Sequence, residues 1–555
     1  MRKVSGRQSF AIGATVLIAS NFIVKILGAL FQIIMLNIIG SDVMGLYAAA
    51  FKVYAFFFII TTTGLPIAVS RMIASSTALG RAREVKRSFK ISMSLFIVLG
   101  LIGSLIMFVF AKQISELLKM EEAVYAIRVI APSILLICVV SGFRGYYQGL
   151  QNMTPTAISQ IIEVLFKLLV GFGAGYWAFR QEYSYGIVAA YVISGITVGV
   201  VFSAAYMLLE YYKNKKIPIK NTDRTSDSYQ NILKRIFMIG LPITLTAVII
   251  NSVGIIDVFS INRILSNSMI EDSAESFYSW YVNIAETLSS MPSSIIVAIG
   301  ISILPAITYA IVQKQIKKVR WSIRAAVRIT AILAIPSGIG MSILARPIIM
   351  LLFINSSETA AINETLSVAA IDVAAPCLVI LSIAMIATCL YTTTTSVMQS
   401  CGLQGKTVWS GAKAIAVKFV VSIGLLYIPG VGIYGAAIGT VLCYYTALIS
   451  NVGYLNKYFG RPLGILKILM RPLYASLICG AAAWSMYKLL YFIYPSNAIA
   501  VLGSIIVAIV VYTAALLLIK AIPPVEIKML PKGEKIYALL RRYNLINEVK
   551  VKNER

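Results

Sequence analysis

The sequence has no histidine at all, and only 13% of its 555 residues are charged. Without histidine the chain lacks the commonest general base and metal ligand, which removes most triad and metalloenzyme chemistry. Catalysis is therefore not expected, and no cofactor or metal site is expected either. Cysteine is scarce: Cys138, Cys377, Cys389, Cys401, Cys443 and Cys479 lie in or beside apolar stretches. Their spacing suits neither zinc nor a disulfide framework, so they are expected to be small core residues. Acidic residues number 22 against 49 basic ones, a formal charge of +27. Such an excess suggests nucleic acid only when it gathers on one soluble face or motif. Here it is scattered through short loops, and no nucleic-acid partner is expected. The longest outer loop, around Leu265 to Phe277 with Glu271, Asp272 and Glu275, is too short to carry a polymerase or glycosyltransferase site.

What is present in excess is apolar sequence, 59% of the chain. A bilayer core about 30 Å thick needs about 20 apolar residues per spanning helix, and such stretches recur from Ala11 almost to Lys520. The fold class expected is an all-α polytopic membrane protein of about 14 transmembrane helices, with two pseudo-symmetric six-helix lobes around a central cavity. Apolar length, with breaks at Gly, Pro or charge, places the first six at 11–39, 43–69, 88–111, 123–143, 156–179 and 185–209. The second six fall at 235–262, 277–311, 324–345, 366–396, 408–428 and 431–455, and two more at 471–493 and 498–520. The lobes so defined are 1–210 and 235–456, joined by a linker at 211–234. Helices 13 and 14 occupy 457–522, and a basic tail fills 523–555. The run after Arg2, Lys3 and Arg7 continues to Ile39 without a small-residue cleavage site, so it is expected to be a retained first helix rather than a signal peptide. Most Lys and Arg fall on alternate loops and at the two ends, which predicts cytoplasmic termini and an even number of spans.

The two blocks repeat one another. Gln148 precedes Lys167 by the interval at which Gln399 precedes Lys418, each Gln ending a fourth helix and each Lys lying inside a fifth. Ala131-Pro132 recurs as Ala375-Pro376, with a charged residue four positions before each proline, Arg128 and Asp372. Leu65-Pro66 recurs as Leu304-Pro305. Gly195 and Gly199 recur as Gly435 and Gly439, a spacing that permits close helix packing.

Ionisable residues inside these helices are functional candidates by default, because each costs about 2.5 to 3.5 kcal/mol at mid-membrane on insertion scales. Lys25 sits near the middle of helix 1, with Asn21, Gly28 and Gln32 on the same face. Helix 8 carries Ser279, Asn283, Glu286, Ser290 and Ser293 on one face. Lys52 lies nearer the outer surface, within snorkelling reach. Glu163 and Lys167 stand at i and i+4 and can pair with each other, so a structural pair and a ligand site are equal alternatives there. Lys418 takes its interest from the repeat. Asp257 with Arg263 lies near the outer boundary, where anchoring and function are equal alternatives, and Arg144 with Tyr146 and Tyr147 lies at the cytoplasmic boundary. The cavity set is thus Lys25, Lys52, Asn21, Gln32, Glu163, Lys167, Glu286, Asn283 and Lys418. Candidates for coupling or gating are Asp257, Arg263, Arg128, Asp372 and Arg144. The tail places Ile536, Leu539, Leu540 and Tyr543 on one face, where binding to the inner leaflet and full solvation are both open.

The run from Arg144 to Glu163, RGYYQGLQNMTPTAISQIIE, resembles the stage V sporulation protein B-like, polysaccharide-biosynthesis flippase family. That family is part of the multidrug/oligosaccharidyl-lipid/polysaccharide exporter superfamily and is related to lipid II flippases. Ile39 to Tyr47, Gly64 to Ser70 and Ser302 to Ala306 carry the same resemblance. It implies alternating access of a central cavity and cationic cavity residues that hold a diphosphate, with Lys25, Glu163, Lys167 and Glu286 falling on the corresponding positions. The function so implied is outward flipping of an undecaprenyl-diphosphate sugar, a peptidoglycan precursor such as lipid II, across a bacterial cytoplasmic membrane. Partners would be that lipid-linked substrate and membrane lipids, with the chain acting as a monomer. Coupling to membrane potential, sodium or protons is open. The rival readings are a cation-coupled multidrug exporter of the same superfamily and, further off, a membrane polysaccharide polymerase or glycosyltransferase.

Overall fold

The computed structural model describes residues 10–213, 228–266, 271–301, 315–353, 359–363, 366–428 and 431–520, with a few isolated positions between them. The repeat match at Leu304-Pro305, the motif Ser302 to Ala306, most of the linker and the tail face at 536–543 lie outside the described residues. Nearly everything described is helix, because inside a bilayer a backbone can satisfy its own polar groups only within a helix or a closed barrel.

The first half of the chain forms α1 (Phe10–Ile39), α2 (Ser41–Thr62), α3 (Gly64–Ala78), α4 (Ala82–Val109), a short α5 (Ala111–Leu117), α6 (Ala123–Gly149), α7 (Thr154–Arg180) and α8 (Tyr185–Lys213). Then come α9 (Tyr229–Leu265) and one helical run made of α10 (Glu271–Ser279), a π-helical turn (Trp280–Glu286) and α11 (Thr287–Ile301). The remainder is α12 (Ile316–Ile343), a short α13 (Ala345–Leu352), a hairpin of β1 (Thr359–Asn363) and β2 (Leu366–Ala369), α14 (Ala370–Ser400), α15 (Gln404–Leu426), α16 (Tyr434–Phe459), α17 (Ile465–Ile493) and α18 (Asn497–Leu518).

Among the described residues 13 helices are long and apolar enough to cross a membrane, counting α2 with α3 as one. The remaining expected span is the run from Glu271 to Ile301, split by its π turn. Several helices outrun the spans marked by hydropathy. α4 begins at Ala82 rather than 88, and α17 at Ile465 rather than 471, because charge ends an apolar stretch without ending a helix. The expected helix at 366–396 starts later, since Leu366–Ala369 pairs antiparallel with Thr359–Asn363. A short apolar run of that kind fits strand and helix alike. The second expected helix breaks at Thr63. Gly64 there meets the Gly240 carbonyl and Thr244 so closely that a Cβ has no room. Each block's third helix, α4 and α12, is followed by a short helix, α5 and α13, a match between halves that hydropathy does not register.

Packing divides the chain into two compact units: Met1–Met291 with Asn355–Ala374 and Thr407–Cys443, and Pro292–Ile354 with Ala375–Lys406 and Tyr444–Arg555. In the first, α7 packs on α8 and α1, and α2 packs on α6 and α9. Gly195 and Gly199 of α8 press directly on the α7 backbone at Glu163, Lys167 and Gly171, so the predicted small-residue seam fixes where those two charged residues stand. Gly435 and Gly439 meet Leu425 and Ser422 of α15 in the same manner. In the second unit α17 packs on α12 and α18, Gly480 lies against Ile339 and Ile343, and the Tyr512 hydroxyl donates to the Ile332 carbonyl at 2.6 Å.

Candidate functional site

Helix α1 presents two different faces. Phe22, Ile26, Leu30 and Ile34 are exposed apolar residues suited to lipid, while Asn21 and Lys25 are exposed on the polar face and nothing crowds Gly28. The open stripe stops at Gln32. Its Nε2 donates to Asn283 Oδ1 at 3.3 Å, and its Oε1 accepts from Thr287 Oγ1 at 2.8 Å. Asn283, expected in the cavity, is fully buried and donates to the Met44 carbonyl at 2.9 Å and Ser279 Oγ at 3.1 Å. One amide proton ties it to α2 and the other to its own helical run, so its amide protons are both taken within the fold.

Glu163 does not pair with Lys167. Its Oε2 accepts from Arg144 Nη2 at 2.8 Å, and Arg144 also donates from Nε to Ser159 Oγ at 3.0 Å. The planar guanidinium fork reaches both groups at once, in a fixed geometry that a lysine's single ammonium does not offer. Arg144, expected as a boundary anchor, thus takes the carboxylate that lies one turn from Lys167. With α8 covering that face of the α7 backbone, the Lys167 ammonium turns toward three rings, with centroids at 5.1 Å (Phe31), 5.8 Å (Tyr47) and 5.3 Å (Phe51). Lys25 lies within electrostatic reach of it. Among the described residues neither lysine has an acidic partner.

Lys52 does not snorkel to the surface. Its Nζ meets Glu286 Oε1 at 2.6 Å, the two side chains remaining 19% and 35% exposed. Gly254 of α9 makes room for it, since a Cβ there would lie 3.0 Å from Nζ. Asp257 is likewise no boundary anchor and is not near Arg263 in role. It is buried and ion-paired with Lys418. Lys418, expected to line the cavity, has no exposed surface. Its ammonium donates to Asp257, to the Ala436 carbonyl at 2.8 Å and to Thr440 Oγ1 at 2.6 Å, which consumes all three protons. The Tyr281 hydroxyl stands 3.4 Å from both Asp257 Oδ2 and Thr440 Oγ1. Glu286 and Lys52 are close enough for Asp257 to feel their charges, so the two ion pairs form one electrostatic group.

Three further candidates are not drawn into this group. Arg263 is exposed, with its guanidinium 5.7 Å from the Phe259 ring, and Arg128 is exposed on α6. Asp372 is exposed in the first turn of α14, its carbonyl accepting from the Tyr434 hydroxyl at 3.1 Å. Sequence reasoning missed Phe31, Tyr47, Phe51, Tyr281 and Thr440. A signal existed for the aromatic set: Tyr47, Phe51, Tyr54 and Phe58 recur along one face of α2, and successive rings lie 5.8 to 6.2 Å apart. Among the described residues no three acidic, cysteine or histidine side chains gather as a metal-ligand set. What the geometry offers is an anion-attracting region: carboxylates satisfied by internal cations, beside two cations with no internal anion.

The comparisons with known proteins agree with this architecture. The chain is 25% identical over 533 residues to stage V sporulation protein B of Bacillus subtilis (strain 168), covering 95% of this chain and 98% of that one. It is 24% identical over 487 residues to the lipid II flippase MurJ of the same organism, covering 85% and 87%. A solved structure of lipid II flippase MurJ in an inward closed conformation superimposes with a TM-score of 0.66 at 15% identity, over 90% of this chain and 97% of that one, which shows a shared fold. Residues 10–310 match the family described as polysaccharide biosynthesis protein. This multi-pass membrane protein therefore belongs to the polysaccharide biosynthesis protein family.

Proposed function

We propose that the chain is a flippase that moves a lipid-linked, diphosphate-bearing sugar, of the class of peptidoglycan precursors such as lipid II, from the cytoplasmic to the outer leaflet by alternating access. The observation that carries this reading is that the Lys167 ammonium, turned toward three aromatic rings, and Lys25, within electrostatic reach of it, have no acidic partner among the described residues. Two like charges in a low-dielectric region repel, and a multiply charged anion between them turns that cost into attraction. A diphosphate supplies that charge. Lysines attract it as point charges without the bidentate grip of an arginine, which favours release on the far side. With the cell interior negative, outward movement of an anion is driven by about 2.3 kcal/mol per charge per 100 mV. Both termini would then face the cytoplasm, as the distribution of basic loops suggests.

The rival drug-exporter reading needs a carboxylate free to meet a cationic substrate. Glu163, Glu286 and Asp257 each already hold an internal cation, which favours the anionic substrate. The test is reconstitution in liposomes that carry a fluorescent undecaprenyl-diphosphate sugar, with the headgroup's accessibility to an outside reagent as the readout. Lys25→Ala should abolish protein-dependent flipping and leave the protein inserted and folded. Normal flipping by that variant would remove the basis of the reading.

A further inference from the structure

The run from Glu271 to Ile301 is wound unevenly. Trp280–Glu286 is π-helix, a form that takes one more residue than an α-turn and occurs mostly as single turns inside α-helices, frequently at functional sites. The Thr287 hydroxyl lies over the wide turn, 3.1 Å from the Val282 carbonyl and 2.8 Å from Gln32 Oε1, its one proton shared between the two acceptors. The turn aims its side chains in different directions. Tyr281 goes to Asp257 and Thr440, Asn283 to the Met44 carbonyl, and Glu286 to Lys52. At and just before the turn two buried polar groups have no partner among the described residues, Trp280 Nε1 and the Tyr278 hydroxyl. Buried polar groups are nearly always hydrogen-bonded, so two orphans beside one turn are unusual. Downstream, Pro292 lies inside α11 and lacks the N–H that an α-helix needs there. The chain passes from the first compact unit to the second at Met291–Pro292.

The two ion pairs around the turn are built differently. Asp257–Lys418 is sealed, with side-chain exposures of 6% and 0%, whereas Glu286 and Lys52 retain 35% and 19%. The second pair is the more accessible of the two.

We propose that Glu286 is an internal stand-in for the substrate's anionic group. It occupies Lys52 while the carrier is empty, and the π turn is the register switch that lets it leave. A phosphate arriving at Lys52 displaces the carboxylate, and loss or migration of the bulge re-aims Glu286 by one residue's rotation, about 100°. This inference rests on the anionic-substrate reading above. Glu286 then competes with substrate on arrival and reclaims Lys52 when substrate departs, so one residue both lowers apparent affinity and assists release.

The test uses the full chain in lipid nanodiscs with undecaprenyl diphosphate as the probe. Ligand retention is measured with all five tryptophans present, and the emission of Trp280 is followed in a second protein in which Trp177, Trp321, Trp409 and Trp484 are phenylalanine. In the parent, binding should change Trp280 emission saturably. Glu286→Gln should show that altered emission before ligand is added and bind the diphosphate about tenfold more tightly. The gain should vanish in a Lys52→Gln background, and Glu286→Asp, which keeps the charge, should bind as the parent does. Unchanged affinity in Glu286→Gln, or an equal gain without Lys52, overturns the switch even where the parent binds and Lys25→Ala does not. Absence of diphosphate binding in the parent and every variant overturns the switch and the anionic-substrate reading together.

Discussion

Lys167 and Lys418 occupy the same place in the repeat, the same interval after Gln148 and Gln399, yet their surroundings are opposite. Lys418 is completely buried, and each of its protons has an oxygen acceptor. Lys167 is half-buried, faces three aromatic rings and has no acidic partner among the described residues. The difference comes from neighbours. One turn before Lys167 stands Glu163, and Arg144 takes it. One turn before Lys418 stands Ala414, and four residues before Gln399 stands Thr395, so that half carries neither member of the Arg144–Glu163 pair. Lys418 is instead met by Asp257 from α9 and Thr440 from α16. Equivalent positions in the repeat thus hold a fully satisfied cation in one half and a cation without an acidic partner among the described residues in the other.

The contrast breaks most violently at Lys418. Lys418→Met leaves the Asp257 carboxylate buried without a counter-charge, which costs about 3 to 5 kcal/mol. Thermal unfolding in detergent should show that loss, and Asp257→Asn added to Lys418→Met should restore most of it. Lys167→Gln should do the reverse, lowering flipping by about tenfold, roughly 1.4 kcal/mol, because this charge has no internal anion to lose among the described residues. Its melting temperature should stay near the parent's, and a large drop would mean that Lys167 is as structural as Lys418. The mildest change is Phe51→Leu. It removes one of the rings around Lys167 and should alter substrate affinity by only a few-fold, in keeping with about 0.5 to 1 kcal/mol for a cation–π contact. Binding of the lipid-linked diphosphate measures it.

The spans were legible because apolar length is a direct demand of the bilayer, and Lys25 and Glu286 stood out as charges inside them, while Lys418 was marked by the repeat and Asp257 was placed near the outer boundary. Their pairing was not. Lys52 and Glu286 are 234 residues apart, and Asp257 and Lys418 are 161 apart, so proximity depends on how helices pack. Local reasoning gave Glu163 the wrong partner for that reason: i,i+4 spacing offers Lys167, but the arginine on α6 makes the stronger bonds. The glycine seam was legible, and it places Glu163 and Lys167. The π turn left no mark, since its sequence, Trp280 to Glu286, reads as ordinary helix. The hairpin strand Leu366–Ala369 was lost in the apolar run that leads into α14.

The central claim is that the charged region accepts an anion rather than a cation. The most direct measurement presents the parent protein, in liposomes with an imposed membrane potential, with a fluorescent undecaprenyl-diphosphate sugar and separately with a lipophilic cationic dye. The account predicts protein-dependent flipping of the diphosphate lipid, accelerated by an outside-positive potential, and no transport of the dye. Dye movement without any flipping of the diphosphate lipid would contradict it.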